Sequence, residues 1–279
     1  MIETSGLHNQ IKGRKSTRNY LLEKVEKKTI EQLNEFIKTC NTGFLGETID
    51  FRIIEVDLND DKQLKLNYGM IKNNRNYILG FAKDNAQSRA NYGYLMELII
   101  LKATELGLGT CWIGVFDAEY FSDLQIPKGN IIPSLAIFGY EDKGFSLVDK
   151  LTRYVVKATK RKEMNELFFI GNFNTPITKE VAGEYLYPLE MLRLAPSAGN
   201  TQAWRILREK DKNNFHFYKK PVSENYEKKG LHDVDLGICS SHFQIAAESK
   251  GLKGKWIIAE DKSINKPETF VYSHSWIAE

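Results

Sequence analysis

The sequence predicts an α+β protein made of two related halves. Three observations support this: a helix-and-strand repeat within one chain, amphipathic helices interleaved with short strands, and connections too short for uniform βαβ crossovers. The 279 residues are 42% hydrophobic and 27% charged, which is ordinary for a globular protein of one large or two small domains. A chain of this length can bury a large core without disulfides.

The repeat consists of two blocks in the same order, each a helix followed by an apolar strand. The matching segments are 33–43 with 189–199, 51–55 with 204–208 and, without a gap, 92–113 with 236–257. Two unrelated amphipathic helices with similar caps would also share a helical period. The matched glycines and tryptophans, among them Gly93 with Gly237 and Trp112 with Trp256, favour a duplication.

In the first half, apolar residues at helical spacing, from Ile30 to Ile37, predict a helix over 27–39. The segment 90–106 is almost continuously apolar, which predicts a long helix buried on more than one side and ended by Gly107. Bulky and β-branched runs predict the strands. These are 51–56, 77–82, 134–139 and, as a strand or extended turn, 111–116, with a short helix at 118–124.

The second half repeats this scheme. The same patterns predict helices at 185–194 and 234–250 and strands at 204–207, 215–218 and 255–259. The basic segment 157–162 is expected to link the halves, so the predicted division is 1–165 and 166–279.

The charge balance argues against a nucleic-acid partner. The net charge is only +3, from 39 basic and 36 acidic residues, whereas polyanion binding requires a concentrated basic face. The three cysteines, Cys40, Cys111 and Cys239, are far apart and form no CxxC pair, and the five histidines show no ligand spacing. We therefore expect neither a disulfide framework nor a metal site, and we interpret Cys111 as a buried structural thiol.

The amino terminus and the apolar runs predict a cytoplasmic protein. The first ten residues are polar and lack the features of a signal peptide, and no apolar stretch reaches the roughly 20 residues of a membrane helix. We expect no membrane partner.

Three clusters have residue types suited to binding chemistry. Arg14-Lys15-Ser16-Thr17-Arg18 alternates cations with hydroxyls that can bind a phosphate, although a solvated basic terminus is also common. The loop 195–204 contains Pro, Ser, Gly and two side-chain amides, more than an ordinary turn requires. The segment 107–114 has glycines that permit close backbone approach, or a purely structural turn.

In this order, the RxSxR start, the GLGxxWIG turn and the PSxxNxQ-W loop resemble the FMN-dependent nitroreductase family. Lys160-Arg161-Lys162 with the following Glu-Met-Asn-Glu-Leu is similar to that family's phosphate-contacting tail. The chain resembles the subfamily in which two nitroreductase-like halves are fused into a single-chain pseudodimer. The resemblance implies antiparallel-rich sheets flanked by helices, with one flavin between the halves, and a monomer or weak homodimer.

The resemblance also implies ping-pong chemistry, in which NADH or NADPH passes a hydride to flavin N5 and a small aromatic or quinone-like acceptor then takes the electrons. It assigns no catalytic side chain. Arg14, Lys15 and Ser16 would hold the phosphate and ribityl chain, and Lys160 or Arg161 would close over the phosphate. Arg18 would lie near the N1–C2 carbonyl side. The remaining expected cofactor-binding residues are Trp112, Ile113 and Gly114, whose backbone would meet N5, and Pro196, Ser197, Ala198, Asn200 and Gln202 from the second half.

The two halves depart from the family pattern in different ways. The first has Cys40-Asn41-Thr42-Gly43 in place of PSxxN, and the second lacks RxSxR and has lysines in its Gly251–Trp256 turn. We therefore expect one working site and one decayed site. The loop Asn67-Tyr68-Gly69 is a further candidate for the pyrimidine edge.

Other functions are compatible with the same residues. These are flavin-consuming or dehalogenating chemistry, a flavin-binding or sensing module without turnover, and a structural or interaction protein.

Overall fold

The computed structural model describes residues 2–57, 71–121, 123–144, 160–259 and 266–279. The loop Asn67-Tyr68-Gly69 and most of the predicted linker lie outside the described residues. The helices are α1 Lys27–Thr39, α2 Ala86–Glu105, α3 Met164–Leu167, α4 Lys179–Ala182, α5 Leu186–Arg193, α6 Glu224–Lys228 and α7 Leu231–Glu248. Single 3₁₀ turns occur at Leu7–Gln10, Ala118–Phe121, Gly183–Tyr185 and Ala198–Asn200.

The strands divide along the chain between two sheets in the described residues. Their bounds are β1 Asp50–Glu55, β2 Asn76–Lys83, β3 Gly109–Ile113, β4 Asn130–Ile131, β5 Leu135–Gly139, β6 Phe168–Ile170, β7 Asn172–Pro176, β8 Trp204–Arg208, β9 Phe215–Lys219, β10 Gly254–Ile257 and β11 Val271–Ala278. The first sheet has the order β1-β2-β5-β3, with β4 beside β2. The second has the order β10-β11-β9-β8-β6-β7.

The two sheets share one topology. Reversing the second order gives β8-β9-β11-β10, which matches β1-β2-β5-β3 strand for strand, and every pairing within both paths is antiparallel. The second sheet adds β6, parallel to β8, and β7. The chain is therefore an intramolecular pseudodimer, and the predicted α+β fold with antiparallel-rich sheets is confirmed. The boundary between residues 165 and 166 stays a prediction.

The long helices α2 and α7 cross at the centre of the molecule, where their backbones touch. A Cβ on Gly93 would lie 2.1 Å from the Val234 carbonyl oxygen, and one on Gly237 would lie 1.9 Å from that of Ala90. The gapless repeat pairs Gly93 with Gly237 and Ala90 with Val234. The two contacts are therefore equivalent under the pseudosymmetry, as expected at a twofold interface.

Burial follows from this crossing. Both helices are buried along nearly their whole length, because each packs on its own sheet and on the other helix. Trp112 contacts the hydrophobic cores of both halves. Within the described residues, no helix combines the length and apolar character that crossing a bilayer requires.

The sequence prediction missed several elements. Helix α2 begins four residues before the predicted start because the Asn85 side chain accepts a hydrogen bond from the Ser88 N–H and caps a polar first turn. Strand β11 was not predicted, because its centre contains buried His274 and Ser275. His274 lies 2.7 Å from the Ser240 hydroxyl, a partner that local polarity does not predict. The pairs β4 to β2 and β6 to β7, and helices α3, α4 and α6, were likewise unassigned.

Candidate functional site

A cavity of about 590 Å³ lies between the two halves. Its first wall comes from the amino-terminal segment and the end of β3, and its second from the loop before β8 and one face of α7. This volume falls within the roughly 300–1,000 Å³ of cofactor-sized sites.

The amino-terminal segment reaches the cavity by extending the free edge of β3. The Thr17 N–H donates to the Thr110 carbonyl at 2.8 Å, and Ser16 forms a parallel bridge with Thr110. Gly109 permits this approach, since a Cβ there would lie 2.7 Å from Thr17 Oγ1. Arg14, Lys15, Ser16 and Arg18 thereby line the cavity.

Arg14 is held from below by a buried carboxylate. Its side chain is 6% exposed, and its Nε lies 3.9 Å from Oε1 of Glu97, which is fully buried. Glu97 Oε2 accepts a hydrogen bond from Trp112 Nε1 at 2.7 Å. Arg14 Nη1 is buried and has no hydrogen-bond partner among the described residues. One guanidinium nitrogen in the cavity wall is thus available to a ligand.

Glu97 also joins the two halves through His242. His242 Nδ1 lies 3.0 Å from the Met191 carbonyl oxygen, and its Nε2 lies 2.9 Å from Glu97 Oε1. A carbonyl oxygen can only accept, so Nδ1 donates to Met191 and Nε2 faces the Glu97 carboxylate. This bond fixes the first-half wall relative to α7.

The end of β3 presents alternate residues to the cavity. Trp112 and Gly114 line it, while Ile113 packs against the opposite core of the first sheet. A Cβ on Gly114 would lie 3.1 Å from Leu231. Glycine at this position therefore lets the end of β3 and the start of α7 approach closely at one edge of the cavity.

The loop before β8 has a strained backbone held by its own side chains. Gly199, Asn200 and Gln202 all have positive φ, at 55°, 56° and 50°. The Gln202 N–H donates to Ser197 Oγ at 2.9 Å, and the Ala198 N–H donates to Asp235 Oδ1 at 2.9 Å. These bonds turn the loop toward the cavity.

The two amides of this loop bind the segment 160–162. Asn200 Nδ2 donates to the Lys160 carbonyl at 2.8 Å, and Gln202 Oε1 accepts from the Lys162 N–H at 2.7 Å. Arg161 lies between them, with Nη1 donating to Asn200 Oδ1 at 3.0 Å. The amides thus place the Arg161 guanidinium in the cavity wall.

Cations dominate the ionic character of the wall. Burial, with the nearby charges of Arg14 and Arg193, lowers the pKa of Arg161 to about 10. The cationic residues lining the cavity are Lys12, Arg14, Lys15, Arg18 and Arg161. Lys15 is half exposed and pairs with Glu141 at 2.6 Å. Like charges brought together in this way favour a bound anion.

One face of α7 forms the second wall and was missed by sequence reasoning. Leu231, Val234, Asp235 and Ile238 recur at helical spacing and line the cavity. The predicted helix began only at Val234. The available signal was an acidic residue, Asp235, within an otherwise apolar helix. Burial raises the pKa of the Asp235 carboxyl group.

Comparison with known proteins identifies the family. A family model described as "Putative TM nitroreductase" matches residues 6–247. The chain belongs to this nitroreductase family.

One solved structure shares the fold over nearly the whole chain, and others match about half of it. That of a "putative nitroreductase" from Thermotoga maritima is 20% identical, covers 99% of this chain and 94% of its own, and has a TM-score of 0.62. A nitroreductase with bound FMN from Bacteroides fragilis is 19% identical over 51% of this chain and 92% of its own, with a TM-score of 0.41. An FMN-dependent nitroreductase from Clostridium difficile is 23% identical over 50% and 92%, with a TM-score of 0.38. No curated protein matches the chain.

In this member of the family, the symmetry-related position is filled. The repeat pairs Trp112 with Trp256 and Ile238 with Tyr94, so these mates would line a second cavity. The Phe44 ring lies between them instead, with centroid distances of 4.7 Å to Tyr94 and 5.2 Å to Trp256. The structure therefore has an aromatic side chain where the second half would mirror the cavity.

Most of the residues predicted for the site meet in this one cavity. Those that line it are Arg14, Lys15, Ser16, Arg18, Trp112, Gly114, Arg161, Pro196, Ser197, Ala198 and Asn200. Ile113, Lys160 and Gln202 lie outside its wall. Ile113 faces the other side of β3, Lys160 is exposed and contributes its carbonyl, and buried Gln202 supports the loop. Ligand binding by each of them stays a prediction.

The cysteines form no part of the wall. All three are buried and none is in a disulfide among the described residues, and burial was predicted for Cys111. Among the described residues, no group of three or more His, Cys, Asp or Glu side chains could hold a metal ion.

Proposed function

We propose that the cavity binds one FMN and that the protein is an FMN-dependent NAD(P)H oxidoreductase of the nitroreductase type. The observation on which this rests is the unpartnered Nη1 of buried Arg14 beside Arg161 in a cavity between the halves. A second observation is the lack of a side chain at Gly114 in the cavity wall, which permits a bound ring to approach the backbone closely.

The residues present fit this cofactor. A phosphate is a dianion that arginine binds through a planar donor fork, and two guanidinium groups and a serine hydroxyl are near one another here. Arg14, Lys15, Ser16 and Arg161 would hold the phosphate and ribityl chain, and Arg18 would lie toward the ring. The Gly114 backbone would approach the ring, while Pro196, Ser197, Ala198 and Asn200 would cover it from the second half.

When bound, FMN would supply hydride transfer from NADH or NADPH to a small aromatic or quinone-like acceptor. The protein's part is to bind, orient and exclude water. The cations offset negative charge on the ligand, and the apolar face of α7 with Leu194 and Pro196 excludes solvent. We assign no side chain as a committed acid or base.

We further propose that one chain is sufficient for function. Each of the proposed divisions, 1–165 and 166–279, contributes one wall of the cavity, so the site needs no partner subunit. Sedimentation of the holoprotein should give a monomer with full flavin content. A site that fills only in a dimer would contradict this.

The test is anaerobic titration of the purified protein with NADH and with NADPH. We expect a yellow protein with one bound FMN, whose absorbance near 450 nm, roughly the flavin band, bleaches with at least one nicotinamide. A colourless protein that takes up no added FMN would refute the flavin proposal. A yellow protein that neither nicotinamide bleaches would instead be a binding module without turnover.

A further inference from the structure

One carboxylic acid residue, Asp235, lines a cavity whose other charged lining residues are cations. Asp235 is 3% exposed, and its Oδ1 accepts the hydrogen bond from the Ala198 N–H. Its Oδ2 is buried and has no hydrogen-bond partner among the described residues. His232 Nδ1 lies 3.5 Å from this oxygen, which is too long for a strong hydrogen bond.

The residue that pseudosymmetry relates to Asp235 shows how much of the side chain is needed to support the loop. The repeat pairs Asp235 with Asn91, and Asn91 Oδ1 accepts a hydrogen bond from the Leu45 N–H at 2.8 Å in the loop that matches the loop before β8. An amide is therefore sufficient to hold such a loop against the helix. The second carboxyl oxygen of Asp235 is not needed for that purpose, and burying it without a partner is unfavourable.

We propose that Asp235 is a specificity-determining residue whose Oδ2 accepts a hydrogen bond from an N–H or O–H group on a flat ring bound in the cavity. This rests on the proposed function. The donor belongs either to the flavin or to the second aromatic molecule that binds after it, and the chemistry required of both is the same. Rings that carry a donor group are preferred over rings of equal size that lack one.

Asp235→Asn is the appropriate variant, because the amide of Asn91 already accepts the equivalent hydrogen bond in the first half. The new amide keeps an oxygen that can accept the hydrogen bond from the Ala198 N–H. The exposed Asp211, outside the cavity wall, provides the same chemical change as a matched control. Thermal unfolding of both variants shows whether the fold is intact. FMN affinity is measured by fluorescence titration.

The second ligand is represented by 2-naphthol, which has an O–H donor, and by 2-methoxynaphthalene, which has none. Binding of each to the protein as purified is followed by the probe's own fluorescence, so this measurement works with or without bound FMN. We expect the unaltered protein and Asp211→Asn to prefer 2-naphthol by about 10-fold or more, the size of one charge-assisted hydrogen bond.

The result identifies the source of the donor. Loss of the 2-naphthol preference in Asp235→Asn, with unchanged FMN affinity, assigns the donor to the second molecule. An FMN affinity that falls by about 10-fold, with the preference unchanged, assigns it to the flavin. A folded Asp235→Asn protein with unchanged FMN affinity and unchanged preference would overturn the proposal. Failure of the unaltered protein to bind FMN would instead refute the proposed function.

Discussion

At the scale of single residues, the centre of the site is a carboxylate that never reaches the cavity. Glu97 touches Arg14, Trp112 and His242, and is itself fully buried. It positions two residues of the first wall and connects them to the second half. A buried carboxylate of this kind is stable only because each oxygen has a donor or a cation beside it.

Arg14→Gln should weaken FMN binding by about 10- to 100-fold, because the charge-assisted hydrogen bond from the guanidinium to the ligand is lost. Riboflavin, which has no phosphate, should lose less affinity. Both affinities can be measured by fluorescence titration. Arg52→Gln, which removes an exposed partner of Asp50, is the control and should bind FMN normally. Equal losses for FMN and riboflavin would contradict a phosphate contact.

Glu97→Gln should lower the free energy of unfolding by about 2 kcal/mol. The amide can still accept from Trp112, but the negative charge beside Arg14 and His242 is lost. Chemical denaturation measures the change. The exposed Glu35, paired with Lys38 on α1, offers the matched substitution, and it should change stability by less than about 1 kcal/mol. Similar values for the two variants would remove the argument for a buried network.

At the scale of elements, the crossing of α2 and α7 sets the distance between the cavity walls. The two helices approach until backbone meets backbone at Gly93 and Gly237. This places the face of α7 with Leu231 and Asp235 opposite Gly114 and the end of β3. A change that separates the helices should therefore alter stability and the cavity together.

Gly237→Ala is expected to destabilise the protein by about 3 kcal/mol, because its Cβ would lie 1.9 Å from the Ala90 carbonyl oxygen. The effect opposes the roughly 1 kcal/mol that alanine usually gains over glycine within a helix. Gly13→Ala is the control, since its Cβ would meet only a backbone oxygen at 3.9 Å. Thermal or chemical unfolding is the measurement. A Gly237→Ala protein as stable as the Gly13→Ala protein would show that the helices have room to separate.

At the scale of the whole molecule, two similar sheets give one cavity. The halves share a strand order, yet the cationic segment 14–18 lies in the first half and the amide-bearing loop before β8 lies in the second. At the position that pseudosymmetry relates to the cavity, the Phe44 ring lies between Tyr94 and Trp256. The centroid of the His274 ring is 4.8 Å from that of Phe44. Burial lowers the pKa of His274 to about 3, so this region holds no cation at neutral pH through that side chain.

Saturation with FMN should therefore occur at one molecule per chain. The Phe44 ring occupies the position that pseudosymmetry relates to the observed cavity. Absorbance of the dialysed holoprotein, with protein concentration from amino-acid analysis, gives the ratio. Two FMN molecules per chain would contradict the assignment of Phe44 as a space-filling residue, and Phe44→Ala should leave the ratio at one.

The sequence predicted the elements whose periodicity reflects burial. Helix α1 has the predicted bounds, and the two long helices differ from prediction mainly at their first turns, where capping by Asn85 and the left-handed Gly230 decide the start. Strand β11 was not predicted because His274 and Ser275 are buried through distant partners. Local pattern carries no information about a hydrogen bond made across the fold.

For the site, the sequence indicated the residue types but not which residues line the cavity and which only support the wall. Asn200 and Gln202 were expected at the ligand, and the structure uses both to hold the segment 160–162, with Asn200 also in the wall. Ile113 was grouped with Trp112 and Gly114, although strand alternation turns it away. Asp235 was not noticed, because a single acid in a helix has no distinctive spacing.

The sequence alone determined the duplication, the α+β class and the clusters with phosphate-binding chemistry, because periodicity, matched glycines and residue type are local properties. The tertiary structure decided which residues of the two halves line the cavity, that Arg14 Nη1 and Asp235 Oδ2 are buried without a hydrogen-bond partner among the described residues, and that Phe44 occupies the symmetry-related position. Those depend on contacts between residues more than a hundred positions apart, such as Glu97 with His242. Such contacts exist only once α2 and α7 have packed together.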